Sequence, residues 1–177
     1  REVIIKYLHQ LLRIDRRSAP LRVIGHEFDV KRSLTINVNK SEKQIETGGR
    51  IDRLDEFFID SDNARLRVVD YKTGGKRAES LKNIDEIFDS KNIDKKSDYT
   101  MQAMLYSLIE AKFDTIRNPN HRPVSPALLF IQHAGGEDYS PVISMGQKEI
   151  TDVTVYEEDF LSNLTGILEE IHNPDIA

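Results

Sequence analysis

Residues 49–74 read GRIDRLDEFFIDSDNARLRVVDYKTG. The segment holds two strand-like runs separated by the turn formers Ser61, Asp62 and Asn63. The second run, residues 66–72, is rich in valine and alternates poorly, as a strand covered on both faces does. In a strand, residues two apart share a face, so Asp70 and Lys72 project together while Tyr71 points away. An adjacent antiparallel strand can bring Asp52 beside them. Two carboxylates at close range resist joint ionisation unless a cation sits between them. Hard oxygen donors with an open coordination sphere select magnesium or manganese. The carbonyl of Tyr71, between the two projecting side chains, is a further donor for such an ion.

Outward from this centre, the pattern is helical at residues 2–14, where Val3, Ile4, Tyr7, Leu8, Leu11 and Leu12 predict a packing helix. Residues 22–38 predict one long or bent strand and residues 39–43 its turn. A second strand is expected over residues 44–58, broken or bulged at Gly48-Gly49, where paired glycines suit irregular backbone or the close approach of another group. Residues 75–97 carry many charges and little apolar periodicity, which predicts a long loop with one helical turn near residues 84–88. A helix follows over residues 98–113, capped by Ser97 or Asp98. Leu128 to Ile131, after Pro126, suits a short buried strand, and residues 156–172 form a last amphipathic helix with three acidic residues in its first turn. The expected order is helix, three strands, helix, strand, helix: an α/β domain with a small mixed sheet flanked by helices.

The bulk numbers fit one domain. The chain has 177 residues, 38% hydrophobic and 31% charged, and no apolar run near the roughly 18 residues of a membrane span. The absence of cysteine excludes disulfides, zinc–thiolate sites and cysteine-ligated iron–sulfur clusters within the chain. A net charge of −5 argues against bulk coating of nucleic acid. Locally, however, Arg65, Arg67, Lys72, Lys76, Arg77 and Lys82 face only Asp70 and Glu79. The opening REVIIKYLHQLL lacks the order of a secretion signal. Residues 1–177 are therefore expected to be one domain of a longer, cytoplasmic protein.

The motifs GGRIDRLDEF, RVVDYKTG and QAMLY, in that order, resemble the nuclease domain of the RecB/AddB-like branch of the PD-(D/E)xK superfamily. That branch shows G-x-I-D-R, then D-Y-K-(T/S)-G, then Q-x-x-x-Y on the next helix. This chain has Gly49 to Arg53, Asp70 to Gly74, and Gln102 with Tyr106. The resemblance covers most of the chain and implies a restriction-endonuclease-like core. It makes Asp52 and Asp70 ligands of Mg2+ or Mn2+, Lys72 the catalytic lysine, and Gln102 and Tyr106 the helix pair facing the site. Spacing agrees, since residues four apart on a helix share a face. It further implies DNA as substrate, exonuclease action in recombination or repair, and a helicase-like region or subunit as partner.

The chain departs from the pattern in two places and matches it at one further position. Family members carry an upstream histidine in a G-x-x-x-H context. His9 is the only histidine ahead of the first strands and lacks that context, so the counterpart is expected upstream of Arg1. Glu27, in VIGHEF, matches an acidic position of the first strand and is a candidate for additional site chemistry. The four cysteines with which some members hold an iron–sulfur cluster are absent.

Simpler readings compete with these. Asp52 could pair with Arg50 or Arg53, and Asp70 with Lys72 as an ion pair on a solvated edge. Gln102 could be a plain exposed residue and Tyr106 a core aromatic. The three motifs in order favour a metal-dependent nuclease over a catalytically silent DNA-binding or scaffold module of a helicase–nuclease complex.

Overall fold

Helix α1 (Glu2–Arg17) precedes two long strands, β1 (Leu21–Val38) and β2 (Ser41–Phe58), and the shorter β3 (Ala64–Lys72). The structure is a computed structural model that describes residues 2–58 and 63–175. Ser61 and Asp62 of the expected β2–β3 turn lie outside the described residues.

The β1–β2 hairpin turns on Asn39 and Lys40, both at positive φ (50° and 64°). Two consecutive left-handed residues match the twist of the flanking strands. The turn is thus shorter than residues 39–43, and β2 starts at Ser41, opposite Val38. Nor is β2 broken at its glycines, because the ladder runs through Lys31↔Gly48 and Val30↔Gly49. Gly48 is required there: its φ is +149°, and a Cβ would lie 2.1 Å from the Val30 carbonyl oxygen. The irregularity belongs to β1, whose register shifts between Val23 and Gly25 and whose Glu27 is left-handed (φ 52°).

Among the described residues, four strands form the main sheet in the order β1-β2-β3-β4, with β3 antiparallel to β2 and parallel to β4 (Val124–Phe130). A parallel pair needs a crossover. Here it is residues 73–123, which carry α2 (Asp85–Phe88) and α3 (Ser97–Lys112). β4 begins four residues before the expected Leu128 and contains Pro126. The proline is tolerated because residues 126 and 128 turn their backbone groups to the outer side, where Ile143 N–H donates to Pro126 O and Leu128 N–H to Pro141 O. A missing N–H on that side breaks no bond to β3. Ile131 leaves the strand for a short 3-10 turn.

Segment 75–97 does contain the expected helical turn, and it is anchored rather than loose. Leu81, Ile84 and Ile87 are all buried in the main core. Irregular backbone delivers them, which is why no period marks them. Helix α3 starts one residue early, after a left-handed Lys96, and neither Ser97 nor Asp98 caps it. A small hairpin of β5 (Ser144–Met145) and β6 (Lys148–Glu149) precedes α4 (Glu157–His172).

The sheet has two cores. On one face Leu54, Leu66 and Val68 pack with Met104, Leu108 and Phe160; on the other, Val69, Ala127 and Leu129 pack with Ile14 of α1. Burial of such side chains stabilises the fold by roughly 1.5–3 kcal/mol each. Helix α1 uses only part of its apolar surface: Tyr7 and Leu11 are partly buried, while Val3, Ile4, Leu8 and Leu12 are exposed. The expected packing helix therefore packs through one stripe of the two it carries.

Candidate active site

Strand β3 places its residues on alternate faces. Leu66, Val68, Asp70 and Lys72 face α3, while Arg67, Val69 and Tyr71 face α1. Asp70 sits at the end of the buried run, only 9% exposed, on an interior strand rather than a solvated edge. Its Oδ2 lies 2.8 Å from Lys72 Nζ. Burial pushes the Asp70 carboxyl above its ordinary pKa; Lys72 opposes that shift, and the neighbouring Asp52 carboxylate adds to it. The two acids are thus close enough to resist joint ionisation.

Asp52 reaches this point by an unusual route. The β2–β3 register runs from Phe58↔Ala64 to Arg53↔Val69 and stops there. Beyond it, the Tyr71 N–H donates to Asp52 Oδ2 at 2.7 Å. A side-chain carboxylate thus takes the place of a backbone acceptor. Since a strand residue sends its N–H and C=O to the same side, the Tyr71 carbonyl also faces the β2 edge. Neither neighbouring arginine is paired with Asp52. Arg50 binds Asp29 (3.0 Å) with Glu27 at 3.8 Å, and Arg53 binds Asp15 and Asp55.

Helix α3 supplies the third wall. Lys72 Nζ donates to Gln102 Oε1 (3.3 Å), and Gln102 Nε2 donates to the Tyr106 hydroxyl (3.1 Å). The amide is oriented by both contacts, with its oxygen on the cation and its nitrogen on the phenol. Tyr106 is buried with its hydroxyl against β2, at a place where a Cβ on Gly49 would come within 1.9 Å of it. Gly49 is therefore needed for close approach. One continuous line of contacts joins Asp70, Lys72, Gln102, Tyr106 and the backbone at Gly49.

Two candidates stand apart. Glu27 lies across from Asp52 by register count, but its left-handed backbone leaves the side chain 61% exposed, near Arg50. His9 is exposed on α1, which packs on the face of the sheet opposite Asp70. The basic excess after residue 65 is also smaller than a count suggests. Arg67 is buried against Asp55 at 2.8 Å and Lys72 is taken by Asp70, which leaves Arg65 half-buried and Lys76, Arg77 and Lys82 exposed.

Three groups escaped the sequence reading. Tyr99 places its ring centroid 4.2 Å from Lys72 Nζ, a cation–π contact. Its spacing of three before Gln102 and seven before Tyr106 was the available signal. Glu110, four residues after Tyr106, is fully buried among the α3 packing residues, and burial pushes its carboxyl up to about 7, with Asp114 adding to the shift. The third is a charged network around Arg53 behind the site.

Among the described residues no group of three or more His, Cys, Asp or Glu side chains is arranged to hold a metal ion. The donors present are two carboxylates and a carbonyl. That set suits Mg2+, which keeps several waters and is commonly held by one or two carboxylates together with substrate phosphate. Asp70, crowded by a second acid and only partly compensated by Lys72, is the group a cation would relieve.

A family model for the PD-(D/E)XK nuclease superfamily matches residues 1–177. The chain belongs to that superfamily. The mixed four-stranded sheet flanked by helices is consistent with the core of that superfamily. No curated protein matches this PD-(D/E)XK chain closely enough to count as a relative. No helix among its described residues is long and apolar enough to cross a membrane.

Proposed function

We propose that this PD-(D/E)XK protein is a metal-dependent deoxyribonuclease of the RecB/AddB-like branch, an exonuclease acting in recombination or repair. Asp52, Asp70 and the Tyr71 carbonyl would hold Mg2+ or Mn2+. The observation that carries this reading is the line of contacts from Asp70 through Lys72 and Gln102 to Tyr106, with Asp52 beside it. An ion pair serving stability alone would not need the amide and phenol behind it. A bound divalent cation supplies polarisation of a phosphodiester oxygen and a lowered pKa for water.

The residues of the chain do the rest. Asp52 and Asp70 fix where the scissile phosphate sits relative to Lys72. Lys72, held between a carboxylate and an amide oxygen, orients the attacking water and offsets the negative charge that develops on phosphorus. Water oxygen forms the new P–O bond as the bond to the leaving oxygen breaks, and no covalent enzyme intermediate is needed. Gln102 keeps Lys72 in place, and Tyr106 keeps Gln102 in place. Glu27, at the exposed rim, is assigned a supporting part near the incoming strand. A helicase-like region or subunit would feed strand ends to the site.

The test uses labelled linear single- and double-stranded DNA and RNA, with Mg2+, Mn2+ or chelator, beside an Asp70→Ala variant. Metal-dependent shortening of DNA that the variant lacks is the expected result. DNA binding without cleavage by either protein would favour the scaffold reading, and cleavage of RNA alone would reassign the substrate.

A further inference from the structure

The face of β2 and β3 turned away from Asp70 carries a charged cluster that the catalytic reading does not use. Arg53 is buried at its centre. Its Nη1 donates to Asp15 Oδ2 (3.0 Å) and to the Tyr71 hydroxyl (3.0 Å), and its Nη2 to Asp15 Oδ1 (2.8 Å) and Asp55 Oδ2 (2.7 Å). Its Nε lies 2.7 Å from Asp55 Oδ1. Burial alone would lower the Arg53 pKa, but the hydrogen bonds it donates to Asp15 and Asp55 overturn that and hold it above its ordinary value. Both Nη groups are engaged, so although Arg53 follows Asp52 directly they are spent on Asp15, Tyr71 and Asp55.

The place where this cluster acts is specific. Backbone pairing of β2 with β3 ends at Arg53↔Val69, one residue short of Asp70. From there two side-chain contacts hold the strands together, and both grip Tyr71. Its N–H is bound by Asp52 and its hydroxyl by Arg53. Consecutive residues of β2 therefore hold opposite ends of the one residue that separates Asp70 from Lys72. Two crowded carboxylates would otherwise part by swinging the strand ends away from each other.

We propose that Arg53, braced by Asp15 of α1, is a positioning residue that sets the spacing of Asp52 and Asp70 through Tyr71. Helix α1 is thereby part of the metal site although it lies across the sheet from it. This rests on the metal-binding reading given above. Partners of this kind, one bond removed from the ligands, commonly change metal affinity by about 10- to 100-fold. Lysine cannot replace Arg53, because a single ammonium cannot span Asp15, Tyr71 and Asp55 at once.

The experiment is Mn2+ binding to the whole chain without DNA, followed by electron paramagnetic resonance, with thermal melts of each protein. Tyr71→Phe removes only the hydroxyl and keeps the ring and the backbone carbonyl; Asp15→Asn keeps the shape of the brace and removes its charge. The expected result is a loss of Mn2+ affinity of about tenfold in Tyr71→Phe, measured well below its melting temperature, with a smaller loss in Asp15→Asn. Folded Tyr71→Phe and Asp15→Asn that bind Mn2+ as the wild type does, with only melting temperatures lowered, would make the network merely structural and overturn the proposal. A wild-type chain that fails to bind Mn2+ would overturn the metal reading itself along with it, an outcome separable from the first because it needs no variant.

Discussion

The two faces of the β2–β3 pair carry similar residue types to opposite ends. Behind the sheet, Arg53, Asp55, Arg67 and Asp15 form a neutral set in which each charge meets at least one opposite partner within 3.0 Å. In front, Lys72 pairs with Asp70, Asp52 accepts from the Tyr71 N–H, and burial pushes Asp70 toward protonation with Asp52 adding to the shift. The rear set is closed, whereas the front one has an excess of negative charge and a cation-sized need. Buried charge by itself thus does not mark a functional site; incomplete compensation does.

The largest effect expected from breaking this contrast is on the front face. Asp70→Asn keeps the shape but removes the charge, and DNA cleavage should fall by roughly four orders of magnitude, about 5 kcal/mol of transition-state stabilisation. Its melting temperature should stay near that of the wild type, because the carboxylate it replaces is already disfavoured by burial. A single-turnover assay with a thermal melt checks both.

The rear face should respond the other way. Asp55→Ala leaves Arg53 and Arg67 buried without their shared partner, and denaturant unfolding should show a loss of roughly 3–5 kcal/mol. If Asp55→Ala left stability untouched, the distinction between the two faces would fail.

A smaller effect sharpens the front. Gly49→Ala would put a methyl group 1.9 Å from the Tyr106 hydroxyl and displace the line that ends on Lys72. Turnover should drop about 10- to 100-fold, and the melting temperature should fall as well, because the buried Tyr106 ring must shift. Tyr106→Phe should not rescue it, since the ring carbon Cζ would still lie 2.5 Å from the methyl group and Gln102 would lose its orienting partner.

The smallest effect is a slope. Glu110 has a folded pKa of about 7, raised by burial above its ordinary 4.5. The folded protein therefore holds this proton more tightly than the unfolded chain does. Its contribution to stability is fully present below about pH 4.5 and is lost as pH rises through about 7, at no more than roughly 1.4 kcal/mol per pH unit. Urea melts across that range should show the decline, and Glu110→Gln should flatten it.

These two faces also mark what the sequence made legible. Asp52, Asp70, Lys72, Gln102 and Tyr106 could be singled out because three ordered motifs resemble a known nuclease branch, with strand and helix periods adding which of them share a face, and the structure brings all five together. The early start of β4 was hidden by Pro126, whose outward backbone could be known only from the 141–143 segment that covers it. The rear network was hidden for a similar reason. Asp15, Arg53 and Tyr71 are far apart in the chain, and no local period relates a helix residue to a strand across the sheet. The outward turn of Glu27 could not be foreseen because a motif position does not reveal a left-handed backbone, which leaves the side chain at the exposed rim. Segment 75–97 looked unanchored since Leu81, Ile84 and Ile87 enter the core from irregular backbone.

The central claim is that the front face takes a divalent cation between Asp52 and Asp70. Crystals soaked in MnCl2 and measured for anomalous scattering test it most directly. One strong peak is expected roughly 2.1 Å from an oxygen of each carboxylate, with the Tyr71 carbonyl turned toward it. A clean map with no peak between Asp52 and Asp70, at Mn2+ concentrations that support activity of the same protein, would contradict it.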